Sequence, residues 1–195
     1  MNIKNDQIIK YIVERLSGKL GRIHLMKLIY LADYHARRLF GEPISMFKYH
    51  WWQFGPFDKE FYDCVKRLCN TYIREEEVCF PSCKGYVFHD TPNRMEYKSL
   101  AEHEIYMLEF VIRTYGKVNL QILLEEVVYK TETMEELIKK DAYGDNLPME
   151  MVDNLDKSLY DGLDPKDIIK GEKAIQLGKV RSLEEALHAL QGSHI

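Results

Sequence analysis

The stretch from Leu25 to Phe61 constrains the fold more than any other part of the chain. It reads Leu25-Met26-Lys27-Leu28-Ile29-Tyr30-Leu31-Ala32-Asp33, then Gly41-Glu42-Pro43-Ile44, then Tyr49-His50-Trp51-Trp52-Gln53-Phe54-Gly55-Pro56. Leu25, Leu28, Ile29 and Ala32 recur at i, i+3, i+4 and i+7, which predicts a helix over about residues 23–40 with one face on a core. Gly41 fits its end, because glycine takes a positive φ without steric cost. The aromatic run 48–54 reads as a short strand. Pro56 suits the start of a further helix, where its missing N–H is not needed. That helix is expected to reach about Leu68, with Phe57, Phe61, Val65 and Leu68 inside.

Around this stretch the pattern is mainly helical. Ile8, Ile9, Ile12, Val13 and Leu16 form a stripe that predicts a helix over 6–17, with Asp6 as its N-cap. Gly18 and Gly21 bracket a short loop. Glu77-Val78-Cys79-Phe80 and Gly85-Tyr86-Val87-Phe88 flank a four-residue loop and predict a β-hairpin, with Met95–Tyr97 as a third short strand. Ser99 and Glu102 spell a capping box before a helix that ends near Gly116. Helices are expected over about 119–130, after a second capping box at Thr133 and Glu136, and over 148–160. Asp164-Pro165 opens a C-terminal segment whose last helix starts at Ser182. The fold class is therefore mainly α (α+β): a helical domain with a small antiparallel β-sheet or hairpin over residues 1–160, and a C-terminal helical extension over 161–195.

A chain of 195 residues suffices for one domain with a real core and an appendage. Its 27 Lys and Arg against 31 Asp and Glu leave a formal charge of -4, with no footprint for general nucleic-acid binding. The polar start Met1–Gln7 does not read as a signal peptide. No apolar run approaches the roughly 20 residues of a membrane span. The expected location is the cytoplasm, with the four cysteines as reduced thiols.

No motif of a hydrolase, nucleotide-binding enzyme or metalloprotease is present. Cys79 and Cys83 have a zinc-like spacing, and Cys64, Cys69 and His89 are conceivable further ligands. Yet Cys64 and Cys69 lie five apart on a predicted helix and diverge, so small buried thiols are the better reading. The seven histidines are scattered, and Asp33 and His35 point apart on their helix. The expectation is a binding protein, not an enzyme, with no catalytic residue, cofactor or metal. Two segments stand out as partner-binding. One is the aromatic belt, with His50, Trp51 and Trp52, because tryptophan anchors interfaces at low entropic cost. The other is the tail helix, whose Leu183, Leu187 and Leu190 make a narrow stripe too short to be stable alone, so it either docks on its own domain or orders on a partner.

The same residues carry a resemblance. Leu25, Lys27, Leu28, Tyr30, Ala32 and Asp33, then Gly41, Pro43 and Ile44, then Tyr49, Trp52, Gly55 and Pro56 resemble the signature of the Panacea, or SocA-like, antitoxin domain family. His24 stands where the family often has Lys or Arg. Thr131-Glu132-Thr133-Met134 lacks the proline of the family's second-half element. The resemblance implies a helical domain with a small sheet, in which Lys27, Tyr30, Asp33, Gly55 and Pro56 are structural signature positions. Lys27 and Asp33 are each expected to fix the corner near Gly55-Pro56. It also implies an antitoxin that neutralises a cognate protein toxin by direct contact. Toxins paired with such domains are diverse, and several attack translation or tRNA. Alternatives are an adaptor that delivers its toxin to a protease, and a DNA-binding autoregulator of its operon, which the acidic charge disfavours.

Overall fold

The helix Ile3–Arg15 (α1) is buried on every side from Asn5 to Val13. Its apolar stripe accounts for one face. The polar face is buried as well, and apart from Asn5 Nδ2 its buried groups find partners, which offsets the cost of taking them from water. Asn5 Oδ1 accepts the Met46 N–H at 2.9 Å, Gln7 Oε1 accepts the Ser99 N–H at 2.9 Å, and the Lys10 ammonium meets Asp90. Asp6 is no N-cap. It lies inside the helix, and its carboxylate takes a two-pronged contact from Arg67 at 3.0 and 2.7 Å.

This computed structural model describes residues 3–79 and 84–152. The expected extension over 161–195, the domain boundary before it, most of the helix expected over 148–160, and Cys83 lie outside the described residues.

Helix α2, Arg22–Phe40, crosses the core and ends at Gly41, whose φ of 84° lets its N–H reach Arg37 O. The chain then forms a two-stranded antiparallel hairpin, β2 (His50–Trp52) with β3 (Gly55–Phe57), in the register Trp52↔Gly55. Pro56 therefore sits in a strand and not at a helix start. It is tolerated because its partner Trp51 directs its own backbone to the other side, donating to Asp145 O and accepting from Gly144 N, both at 2.9 Å. Helix α3 begins later, at Glu60, where the Asp58 carboxylate accepts the Glu60 N–H. It buries Phe61, Cys64, Val65 and Leu68.

The expected second hairpin is present as β4 (Ile73–Cys79) and β5 (Lys84–Asp90). Its third strand is Leu20–Gly21 (β1), paired with Phe88 and Val87, and not Met95–Tyr97. Two residues cannot display a period of two, so this pairing left no signal in the sequence.

Helix α4, Glu102–Tyr115, packs along α2. Its first turn is held by Glu104, whose carboxylate accepts the Ala101 N–H at 2.8 Å, and Ser99 does not cap it. The expected helix over 119–130 is irregular: an α turn Leu120–Ile122 (α5), a π turn Leu123–Val127 and a 3-10 turn Val128–Lys130. Helix α6, Glu132–Lys139, starts after Thr131, so Thr133 is inside it and is not its cap. The whole is a helical domain with small antiparallel sheets, as the sequence indicates.

Candidate partner-binding site

The hairpin β2–β3 is fixed from below by Lys27. Two unlike groups meet here: the ammonium of a core lysine and the backbone carbonyl of a proline. Lys27 Nζ donates to Pro56 O at 2.5 Å, and the residue is only 2 % exposed. Burial pushes its pKa down to about 7. Gly55 precedes Pro56 with a φ of 83°, a conformation that suits glycine. A Cβ there would sit 3.1 Å from Tyr129 Cε1 and 3.8 Å from Lys27 Cε.

Asp33 acts elsewhere. Its fully buried carboxylate accepts the Ile44 N–H (2.9 Å), the Ser45 N–H (2.7 Å), the Ser45 hydroxyl and the Tyr49 hydroxyl (2.6 Å). It therefore ties the turn after α2 to the strand approach, and does not touch the Gly55-Pro56 corner. Burial pushes its pKa up, and the four donors oppose that shift. Tyr30, also fully buried, shares its hydroxyl with Thr131 and Thr133, each at 2.6 Å. These contacts connect α2 to both ends of the sequence stretch that the hairpin spans and to the start of α6.

On this base stands an aromatic ridge. The hairpin turn exposes Trp52 (53 %) and Phe54 (43 %). Tyr143 stacks on Trp52 at 5.8 Å between ring centroids and meets Trp51 edge-on at 5.7 Å. Beneath the ridge lies a cleft of about 590 Å³, bounded by the start of α2, the hairpin, α3 and β5. One wall is a stack in which the Arg22 guanidinium lies 3.7 Å from the Tyr86 ring centroid and 5.6 Å from that of Tyr62. Glu75 holds that guanidinium through both its oxygens, at 2.5 and 2.6 Å.

A family model, antitoxin SocA-like, Panacea domain, matches residues 25–140, more than half of the chain. The chain belongs to the Panacea domain family. Neither a curated protein nor a solved structure matches it. Family membership sets this Panacea domain among antitoxins, whose partner is a toxin.

Of the expected partner-binding residues, the Panacea domain places His50 and Trp52 in solvent, while Trp51 is half-buried against Tyr143. Leu183, Leu187 and Leu190 lie outside the described residues. Phe54, a member of the aromatic belt, belongs to the exposed face together with Tyr62 and Tyr143, which the sequence reading does not single out. For Tyr143 a signal existed: a large aromatic within the turn-forming run Asp141–Asn146. Cys64 is buried, Cys69 half-buried and Cys79 exposed. Among the described residues no three His, Cys, Asp or Glu side chains converge as metal ligands, and no helix is long and apolar enough to cross a membrane. His24 lies 3.2 Å from Tyr115 O, and burial lowers its pKa. His35 stacks on Tyr115, and burial lowers its pKa to about 4.

Proposed function

We propose that this protein neutralises a cognate toxin by direct binding, through the ridge formed by Trp52, Phe54 and Tyr143, and that it has no catalytic activity of its own. One observation carries the reading. Two large aromatic side chains project into solvent from a hairpin whose base is fixed by a buried lysine and a left-handed glycine. Exposed aromatics on a preorganised backbone lose little conformational freedom on binding, so burying them converts efficiently into affinity. Such residues dominate interfaces of about 1,200–2,000 Å². Trp52 and Phe54 lie within the segment that the family model matches, and Tyr143 lies just past its end, which is consistent with recognition being the domain's own property.

The test expresses the neighbouring open reading frame of the native locus under tight induction, alone and with this protein. Growth arrest that co-expression relieves, with a complex that co-purifies, is the expected result. A double variant, Trp52→Ala with Phe54→Ala, should stay folded and lose both rescue and complex. Arrest relieved without a complex would replace occlusion by delivery to a protease. A neighbour that is harmless, or a double variant that rescues as well as the parent, would overturn the proposal.

A further inference from the structure

The cleft beneath the ridge has an electrostatic character opposite to that of the chain. The protein carries a formal charge of -4, yet Lys19, Arg22 and Lys27 line the cleft and no Asp or Glu does. Arg22 is neutralised by Glu75. Lys19 is exposed, and among the described residues no carboxylate pairs with it or with Lys27. Lys27 is the unusual one. An ammonium has three protons to donate, and here a single acceptor, Pro56 O, is within reach. Burial against one neutral acceptor disfavours the charged form, and a carboxylate at hydrogen-bond distance would favour it and draw the proton back onto Lys27. The remaining lining is apolar and aromatic, including Phe54, Phe57, Phe61 and Tyr62.

We propose that the cleft receives a segment of the partner protein in which an aromatic or aliphatic side chain sits beside an Asp or Glu, the carboxylate pairing with Lys27 and the apolar group filling the space under Trp52 and Phe54. This rests on the reading that the face binds a protein partner, and it specifies the chemistry of the element recognised. The volume of about 590 Å³ exceeds that of one side chain and suits a short stretch of chain. Lys19 at the rim extends the positive field along the entry path.

The test pans a phage-displayed random dodecapeptide library against the full-length protein and measures the selected peptides in solution. Peptides that combine Asp or Glu with Leu, Phe or Trp are expected to be enriched. Lys27→Met, which keeps the length and apolar stem but not the charge, should weaken them at least about tenfold. Lys19→Glu alters an exposed position, leaves the fold intact and should weaken them severalfold, so the conclusion does not depend on Lys27→Met folding. Selection of no peptide, selection of peptides without acidic residues, or binding unchanged in both variants would overturn the assignment. Growth rescue separates this from the underlying reading. If the wild-type protein rescues and both lysine variants rescue equally, the cleft assignment fails while the antitoxin reading stands. If the wild type does not rescue, the antitoxin reading fails and the peptides decide the cleft alone.

Discussion

Tyr30 and Thr131 are 101 residues apart in the chain, and their hydroxyls meet at 2.6 Å in the core. Thr133 closes on the same hydroxyl. Thr131 also donates to Val128 O, which leaves its oxygen free to accept from Tyr30. Tyr30→Phe removes the shared hydroxyl and leaves Thr133 without that partner in a dry site. The expected loss is about 1–2 kcal/mol, read as a lower urea midpoint with an unchanged m-value. An unchanged midpoint would mean that this hydroxyl contact adds nothing net to stability.

Asp33 gathers four donors from Ile44, Ser45 and Tyr49. Asp33→Ala strands all four in the interior, so a loss of about 3 kcal/mol or more is expected, enough to threaten folding of a marginal domain. Thermal unfolding in parallel with Asp33→Asn checks this. The amide keeps the shape and part of the acceptor capacity, and should fall between the parent and the alanine variant.

Lys27 sets a pH dependence. Its pKa is about 7 in the folded protein, against an ordinary lysine value of 10.5. Between these values the unfolded chain holds a proton that the folded protein lacks, so stability rises with pH from about 7 toward 10. The slope from this one group is at most about 1.4 kcal/mol per pH unit. Above about pH 10 the rise ends, because Tyr30, Tyr34 and Tyr97 resist ionisation when folded and release protons when unfolded. Chemical denaturation from pH 6.5 to 9.5 should show the rise in the parent and a flatter profile in Lys27→Met. Equal profiles would show that Lys27 remains charged where it is buried.

The two adjacent tryptophans should behave oppositely. Trp52 is exposed, and Trp52→Ala is expected to change stability by no more than about 0.5 kcal/mol. Trp51 is packed against Tyr143 and the core, and Trp51→Ala should cost about 2 kcal/mol. Combined unfolding and toxin-binding measurements separate them: Trp52→Ala should impair binding without destabilising, and Trp51→Ala should do so mainly through the fold.

The elements most legible in the sequence are those specified locally. The stripe from Leu25 to Ala32 and the glycine at 41 define α2 and its end within a few residues. The pairing of β4 with β5 is announced by two apolar runs and a turn composition between them. What escaped depends on distant partners. Leu20–Gly21 becomes a strand because Phe88 and Val87 lie beside it. Pro56 reads as a helix start by local rules, and becomes part of a strand because the 144–147 segment, not Pro56, satisfies the backbone of Trp51. Asp33 was legible as a fixing residue, but its target was not, because a carboxylate's reach is set by how α2 packs against the turn after it. Within the candidate site, the sequence offers Trp51 and Trp52 alike as partner-binding residues and does not say which of them faces solvent. The turn at Gln53–Phe54 carries Trp52 outward, and Tyr143, more than 90 positions away, covers Trp51.

The recognisable family segment begins at Leu25, whereas α1 ends at Arg15. That helix supplies Ile8, Ile9, Ile12 and Val13 to the interior, and its polar side chains reach Met46, Arg67, Asp90, Ser99 and Glu104. The portion under common sequence constraint is therefore smaller than the portion that must fold together. An expression clone trimmed to residues 25–140 would expose a trough where α1 belongs and yield aggregated material, and supplying residues 1–17 as a separate peptide would be the way to restore it.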